Sequence, residues 1–131
     1  NKNAKINTSF SLFDKNNYIY IDVEKIKLVI KNLLENALVY SSQKPEIDID
    51  ILEDNDTYTF KITDNGLGVS EEEQEKIFEK FYRVDKSRPM NFSGSGLGLS
   101  IVKEIIHNYG GEIKLISEVG LGSTFYITVP K

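Results

Sequence analysis

The chain has 131 residues, 40% hydrophobic and 27% charged, a balance that supports one globular domain with its own core and shows no sign of disorder. Its formal net charge of −4 argues against nucleic-acid binding through a basic surface, and the lack of cysteine excludes disulfides and thiolate metal sites. There is no signal-peptide pattern and no apolar run near the ~20 residues of a membrane span, so direct membrane contact is not expected of this segment.

The elements follow in chain order. "INTSFSLFDKNNYIYID" alternates apolar and polar residues about an Asp-Lys-Asn-Asn turn and predicts a short hairpin or two small strands. In "DVEKIKLVIKNLLENALVYS" the apolar residues Ile26, Val29, Ile30, Leu33, Leu34, Ala37 and Leu38 recur at helical offsets, with Asp22 as N-cap and Pro45 beyond the end. "EIDIDILEDNDTYTFKITDNG" alternates on both sides of Asp54-Asn55-Asp56, which predicts an antiparallel hairpin with one wet face. "SEEEQEKIFEKF" predicts a shorter helix with Ser70 as cap and glutamates at its positive end. A basic loop follows, then a helical stripe of Leu97, Ile101, Val102, Ile105, Ile106 and Tyr109 ending at Gly110-Gly111. "EIKLIS" and "STFYITVP" close the chain as two strands. The two long helices are apolar on one side only, so the expected fold is α+β, a two-layer sandwich with a mixed sheet of about five strands and about three helices on one face.

Four stretches have a pattern suited to chemistry. The loop Tyr82–Gly96 carries Arg83, Lys86 and Arg88 against Asp85, a positive strip that suits a small anion or is simply solvated. Gly94, Gly96 and Gly98 lead into a helix start, where unpaired N–H groups and the partial positive charge favour a phosphate and missing side chains let it come close. The same glycines also fit a flexible loop feeding a helix. They match neither a P-loop nor a dinucleotide-binding turn. On the first long helix Asn32 and Asn36 lie one turn apart at the edge of the apolar stripe, with Tyr40 continuing the row. Their amide oxygens suit Mg2+, which takes few protein ligands, or bond neighbouring side chains. Asp64 ends a strand of buried character before Asn65-Gly66-Leu67-Gly68, where a fixed carboxylate would accept a hydrogen bond from an exocyclic amine such as adenine's, or would merely cap its own turn.

"NLLENALVYS", "DNGLG", "FEKFYRVD", "GSGLGLSIVKEII" and "GLGSTF" together resemble, in order, the N, first glycine, F, second glycine and third glycine boxes of the catalytic, ATP-binding domain of bacterial sensor histidine kinases, within the superfamily shared with gyrase, MutL and heat-shock chaperone ATPases. The resemblance covers nearly the whole chain. It implies the Bergerat fold with a flexible ATP lid at about residues 82–96, residues 1–131 forming one domain, and ATP with Mg2+ as ligands. It implies that Asn36, supported by Asn32, holds Mg2+, that Asp64 reads the adenine amino group, and that Gly66 and Gly68 shape the base pocket with Thr124 beside it. Tyr40 would lie near the nucleotide, Phe78 and Phe81 would anchor the lid, and Arg83 would reach the phosphates. Gly94, Gly96 and Gly98 would end the lid and let Leu97 and its helix approach them.

The family's pattern also has departures here. Val39 stands where relatives often have a phosphate-side lysine, a role that Lys86 or Arg88 could fill. Asn32 occupies the place of the water-activating glutamate of the hydrolytic cousins, which favours a kinase over an ATP-driven clamp. The single histidine, His107, lacks the acidic residue and proline of a phosphoacceptor and reads as a surface residue. The expected acceptor lies before Asn1 on a dimerising helical hairpin outside this chain, in a protein that is a homodimer, sits in the membrane with this domain in the cytoplasm, and passes the phosphoryl group to a response regulator. A nucleotide-blind recruiting module is the remaining rival.

Overall fold

The computed structural model describes residues 5–11, 22–39, 44–80 and 98–131. They form a five-stranded sheet from β1 (Lys5–Ser11), β2 (Glu46–Glu53), β3 (Thr57–Asp64), β4 (Glu112–Glu118) and β5 (Gly122–Pro130), with α1 (Val23–Val39) and α2 (Gly98–Asn108) packed on it. The strand order is β1-β2-β3-β5-β4. Only β1 and β2 pair in parallel; the other three ladders are antiparallel, so the sheet is mixed.

The helical spacing of α1 does its expected work: Val29, Leu33 and Ala37 are buried, and Ile26, Leu34 and Leu38 pack against the core from its margins. Ile30 lies outside this narrower stripe at 38% exposure. Asp22 caps the helix, its Oδ1 accepting from the backbone N–H of Glu24 at 2.9 Å and of Lys25 at 3.4 Å. The end of α2 is a Schellman turn, with Gly111 N–H donating to Ile106 O and Gly110 N–H to His107 O, both at 2.9 Å. Gly110 takes φ +75° there, a conformation that a residue with Cβ adopts only with strain.

The hairpin β2–β3 forms where alternation placed it, with Ile49 opposite Ile62 and Ile51 opposite Phe60. Two points differ from the expectation. The first strand pairs across to β2 in parallel, through the α1 crossover, while the second arm of the expected hairpin lies outside the described residues. The predicted third helix is instead a run of turns over residues 71–75 and one 3-10 turn, Lys76–Phe78. Its apolar residues come only at the end, Ile77 buried and Phe78 packed at the core margin, so the glutamate run before them has no apolar face to hold an α-helix. Two α-helices, not three, therefore cover the sheet among the described residues.

The helices run in opposite directions. Asp22 N–H, at the start of α1, donates to Tyr109 Oη beyond the end of α2 at 2.8 Å. At the opposite pole, a Cβ added to Gly98 at the start of α2 would stand 3.1 Å from Asn32 Oδ1 on α1. The later turns of α1 and the N-terminus of α2 thus share one end of the helical layer.

Candidate functional site

That end of the helical layer adjoins one particular edge of the sheet. Only residues 40–45 join Val39 to Glu46, a span of at most about 25 Å. Glu46 in turn meets the segment after β3: its N–H donates to Asn65 Oδ1 at 2.9 Å, and Asn65 Nδ2 donates to Lys44 O at 3.1 Å. Chain connectivity therefore limits how far the end of α1 can lie from the Asp64 end of β3.

Asp64 is 9% exposed, and it is one of two buried polar residues among the described ones, with Ser123. The two face each other across the β3–β5 ladder. Asp64 Oδ1 accepts from Gly66 N–H at 2.9 Å and from Ser123 N–H at 3.3 Å. Burial pushes this carboxyl above the usual carboxylate range, while the two backbone donors pull the other way. Both donors lie on one oxygen, so Oδ2 takes no bond among the described residues and is left for a further donor.

The glycines around Asp64 permit close backbone contact. Gly68 takes φ +76°, and a Cβ there would fall 2.2 Å from Glu118 O; a Cβ on Gly122 would fall 2.0 Å from Asp64 O. The loop after β3 and the turn between β4 and β5 are thus laid directly against each other. Gly120 N–H donates to Leu67 O at 2.8 Å across the same seam.

Thr124 is not beside Asp64. The pleat sends alternate residues to opposite faces, and Phe125, Ile127 and Val129 take the core face of β5, so Ser123 shares that face with Asp64 and Thr124 is turned away. Thr124 Oγ1 instead donates to Thr63 Oγ1 at 3.3 Å on the outer face. Ser123 was missed in the sequence, although stepping back by twos from Val129 would have found it.

Asn32 and Asn36 are both half-buried on α1, as expected of a pair at the stripe edge. Asn32 Nδ2 is buried and has no partner among the described residues, an orphaned donor that suits an oxygen-rich ligand. Asn36, one turn on, makes no hydrogen bond among the described residues and keeps its amide oxygen available. The helix start at Gly98 lies close against Asn32, so that a side chain there would have to push the Asn32 amide aside. An orphaned amide donor, a neutral amide oxygen and a bare helix terminus form a set that fits phosphate and Mg2+. Phe78 packs edge-on against Phe125 with ring centroids 6.3 Å apart, and Lys103 Nζ lies 5.6 Å from the Phe78 ring centre. His107 is exposed on α2, in keeping with a surface role. Tyr40, Phe81, Arg83, Lys86, Arg88, Gly94, Gly96, Leu97 and the lid segment lie outside the described residues.

Comparison with known proteins places this geometry. Residues 21–131 match the sequence profile of the histidine kinase-, DNA gyrase B-, and HSP90-like ATPase family. The sensor histidine kinase WalK of Bacillus subtilis is 38% identical over 122 residues, 92% of this chain and 20% of WalK. The sensor-like histidine kinase SenX3 of Mycolicibacterium smegmatis is 40% identical over 102 residues, 78% of this chain and 27% of SenX3. The nucleotide-free catalytic domain of histidine kinase ThkA superposes with a TM-score of 0.77 at 28% identity, over 96% of this chain and 80% of ThkA's. The chain thus spans about a fifth to a quarter of the length of these curated relatives. Its mixed sheet with helices on one face is the architecture of the ThkA catalytic domain. The chain belongs to the histidine kinase-, DNA gyrase B-, and HSP90-like ATPase family, and its curated relatives are sensor histidine kinases.

Proposed function

We propose that this domain binds ATP with Mg2+ and, within its whole protein, delivers the γ-phosphoryl group to a histidine on a separate dimerisation domain, for onward transfer to an aspartate of a response regulator. The observation that carries the reading is the buried Asp64 carboxylate, held on one oxygen by two backbone donors and without a partner on the other among the described residues. An adenine 6-amino group is a donor of the kind that open oxygen accepts, whereas guanine offers a carbonyl oxygen there and is repelled.

In this reading Asn36 offers its amide oxygen to Mg2+, Asn32 donates its orphaned N–H toward the phosphate side, and the Gly98 helix start supplies backbone donors and partial positive charge. Mg2+ bound there supplies neutralisation of the phosphate charge. The acceptor imidazole forms the N–P bond as the bond from phosphorus to the departing ADP oxygen breaks, and the domain's part is positioning. Arg83 and the lid glycines are assigned to the phosphate side by their sequence boxes, Lys86 or Arg88 to the role of the lysine replaced by Val39, and Tyr40 to a place near the nucleotide. Asn32, standing where a hydrolytic enzyme has its water-activating glutamate, favours transfer over hydrolysis. No described helix is long and apolar enough to cross a membrane. By the family resemblance of its sequence boxes, the domain is assigned to the cytoplasmic part of a membrane-anchored, homodimeric sensor.

The test is calorimetric titration of this chain with a non-hydrolysable ATP analogue, with and without Mg2+, beside incubation with radiolabelled ATP. The reading expects saturable, Mg2+-strengthened binding and no appreciable self-labelling. Absence of binding, or robust self-labelling, contradicts it.

A further inference from the structure

The seam between the loop after β3 and the β4–β5 turn is fastened by two polar side chains outside the five sequence boxes. Ser117, near the end of β4, has a half-buried hydroxyl at the centre of the seam. Its Oγ accepts from Val69 N–H at 2.7 Å, lies 2.9 Å from Gly122 O as a donor, and lies 2.8 Å from Ser123 Oγ. Gln74, in the turns that replace the expected helix, donates from the same Nε2 to Val69 O and to Ser117 O, both at 3.0 Å. The carboxamide thereby ties the carbonyls of the two strands of chain whose amide and hydroxyl the serine already joins.

These bonds connect to Asp64 on both sides. Ser123, bonded to Ser117, supplies one of the backbone donors to Asp64 Oδ1; Gly66, three residues before Val69 in the same loop, supplies the other. The two donors come from different segments, β5 and the loop, so their mutual spacing bears on the carboxylate's rotation about its Cβ–Cγ bond. A hydroxyl that bolts the two segments together sets that spacing.

We infer that Ser117, with Gln74 behind it, is a positioning residue for base selection: it holds the Gly66 and Ser123 amides in register so that Asp64 Oδ2 faces the exocyclic amine of the base. This rests on the reading of Asp64 as the group that recognises adenine. Ser117 itself touches no ligand. Its loss lets the two backbone donors separate and the carboxylate turn, which blunts recognition of the amine while leaving the phosphate-side groups Asn32, Asn36 and Gly98 in place. Simple structural support predicts something else: weakening of every nucleotide alike.

The experiment uses the full 131-residue chain with Mg2+ and two probes, ATP and the triphosphate of purine riboside, which lacks the 6-amino group. The readout is the ratio of their dissociation constants. Wild type is expected to prefer ATP by about tenfold or more, the value of a hydrogen bond to a charged group. Ser117→Ala is expected to cut that ratio about fivefold, Ser117→Thr, which keeps the hydroxyl, to restore most of it, and Gln74→Met to lower it by a smaller factor. Should Ser117→Ala not fold, the Gln74→Met ratio decides. Equal weakening of both probes, or an unchanged ratio, overturns the positioning role while leaving Asp64's standing. A wild type that does not distinguish the probes overturns the Asp64 reading itself.

Discussion

Gly98 and Asn32 meet so closely that α2 begins where the side chain of α1 ends: a Cβ on Gly98 would stand 3.1 Å from Asn32 Oδ1. The neighbour is the tip of a side chain, so it can yield by a few tenths of an ångström. Gly98→Ala is therefore expected to fold with a thermal midpoint within a few degrees of wild type, since only a side-chain tip has to shift. The displaced Asn32 amide and the filled helix tip should weaken Mg2+–ATP binding about three- to tenfold. Melting curves beside nucleotide titration check the split.

Asp64 works against the fold that holds it. Because burial raises its pKa above the ordinary carboxylate range, the unfolded chain releases this proton at lower pH than the folded one. Between those two pKa values the folded state binds more protons, so rising pH through that window lowers stability, and the loss persists at neutral pH. Asp64→Asn removes the titrating charge and retains an oxygen to accept from Gly66 and Ser123. The variant should be as stable as wild type or more so at pH 7, with a flatter stability profile from mild acid upward. Its adenine nucleotide affinity should fall at least about tenfold. Chemical denaturation across pH, with titration at pH 7, measures both.

Asn36 is expected to act through the metal. Asn36→Ala should leave metal-free ATP binding nearly unchanged and remove most of the strengthening that Mg2+ brings, a collapse of about tenfold in the ratio of the two affinities. Titrations with Mg2+ and with chelator give that ratio directly.

Gly68 combines a left-handed backbone with no room for a side chain. With φ +76° and a notional Cβ 2.2 Å from Glu118 O, Gly68→Ala is both strained and blocked by backbone. It should destabilise the domain by at least about 2 kcal/mol, because the loop must leave the β4–β5 turn to admit a methyl group. Urea denaturation checks this.

Much of this was legible in the residues themselves. The Val29, Leu33 and Ala37 stripe and the Asp22 cap identify α1, because both signals are local. The β2–β3 hairpin follows from alternation about a turn whose Asp54 Oδ1 accepts from Asp56 and Thr57 N–H at 2.9 and 2.7 Å. The parallel partner of β1 was not legible, since pairing through a crossover leaves no mark in either strand. The segment 70–78 misled because a serine followed by glutamates has helical chemistry without an apolar face, and Gln74 is used across the seam instead. Thr124 was preferred to Ser123 by its place in the resemblance, against the alternation of its own strand. Asn32 and Gly98 are each site candidates on local pattern, but that they touch is a fact of helix packing that no local pattern carries.

The central claim is that an amide pair, a carboxylate and a helix tip serve one ligand. Nuclear magnetic resonance of the isotope-labelled chain, titrated with Mg2+ and a non-hydrolysable ATP analogue, follows the side-chain amides of Asn32 and Asn36 and the backbone amides of Gly66, Ser123 and Gly98 together. The account predicts that all five shift along one saturation curve with a single dissociation constant. Shifts confined to one of the three groups, or separate curves for the Asp64 side and the α2 terminus, would contradict it.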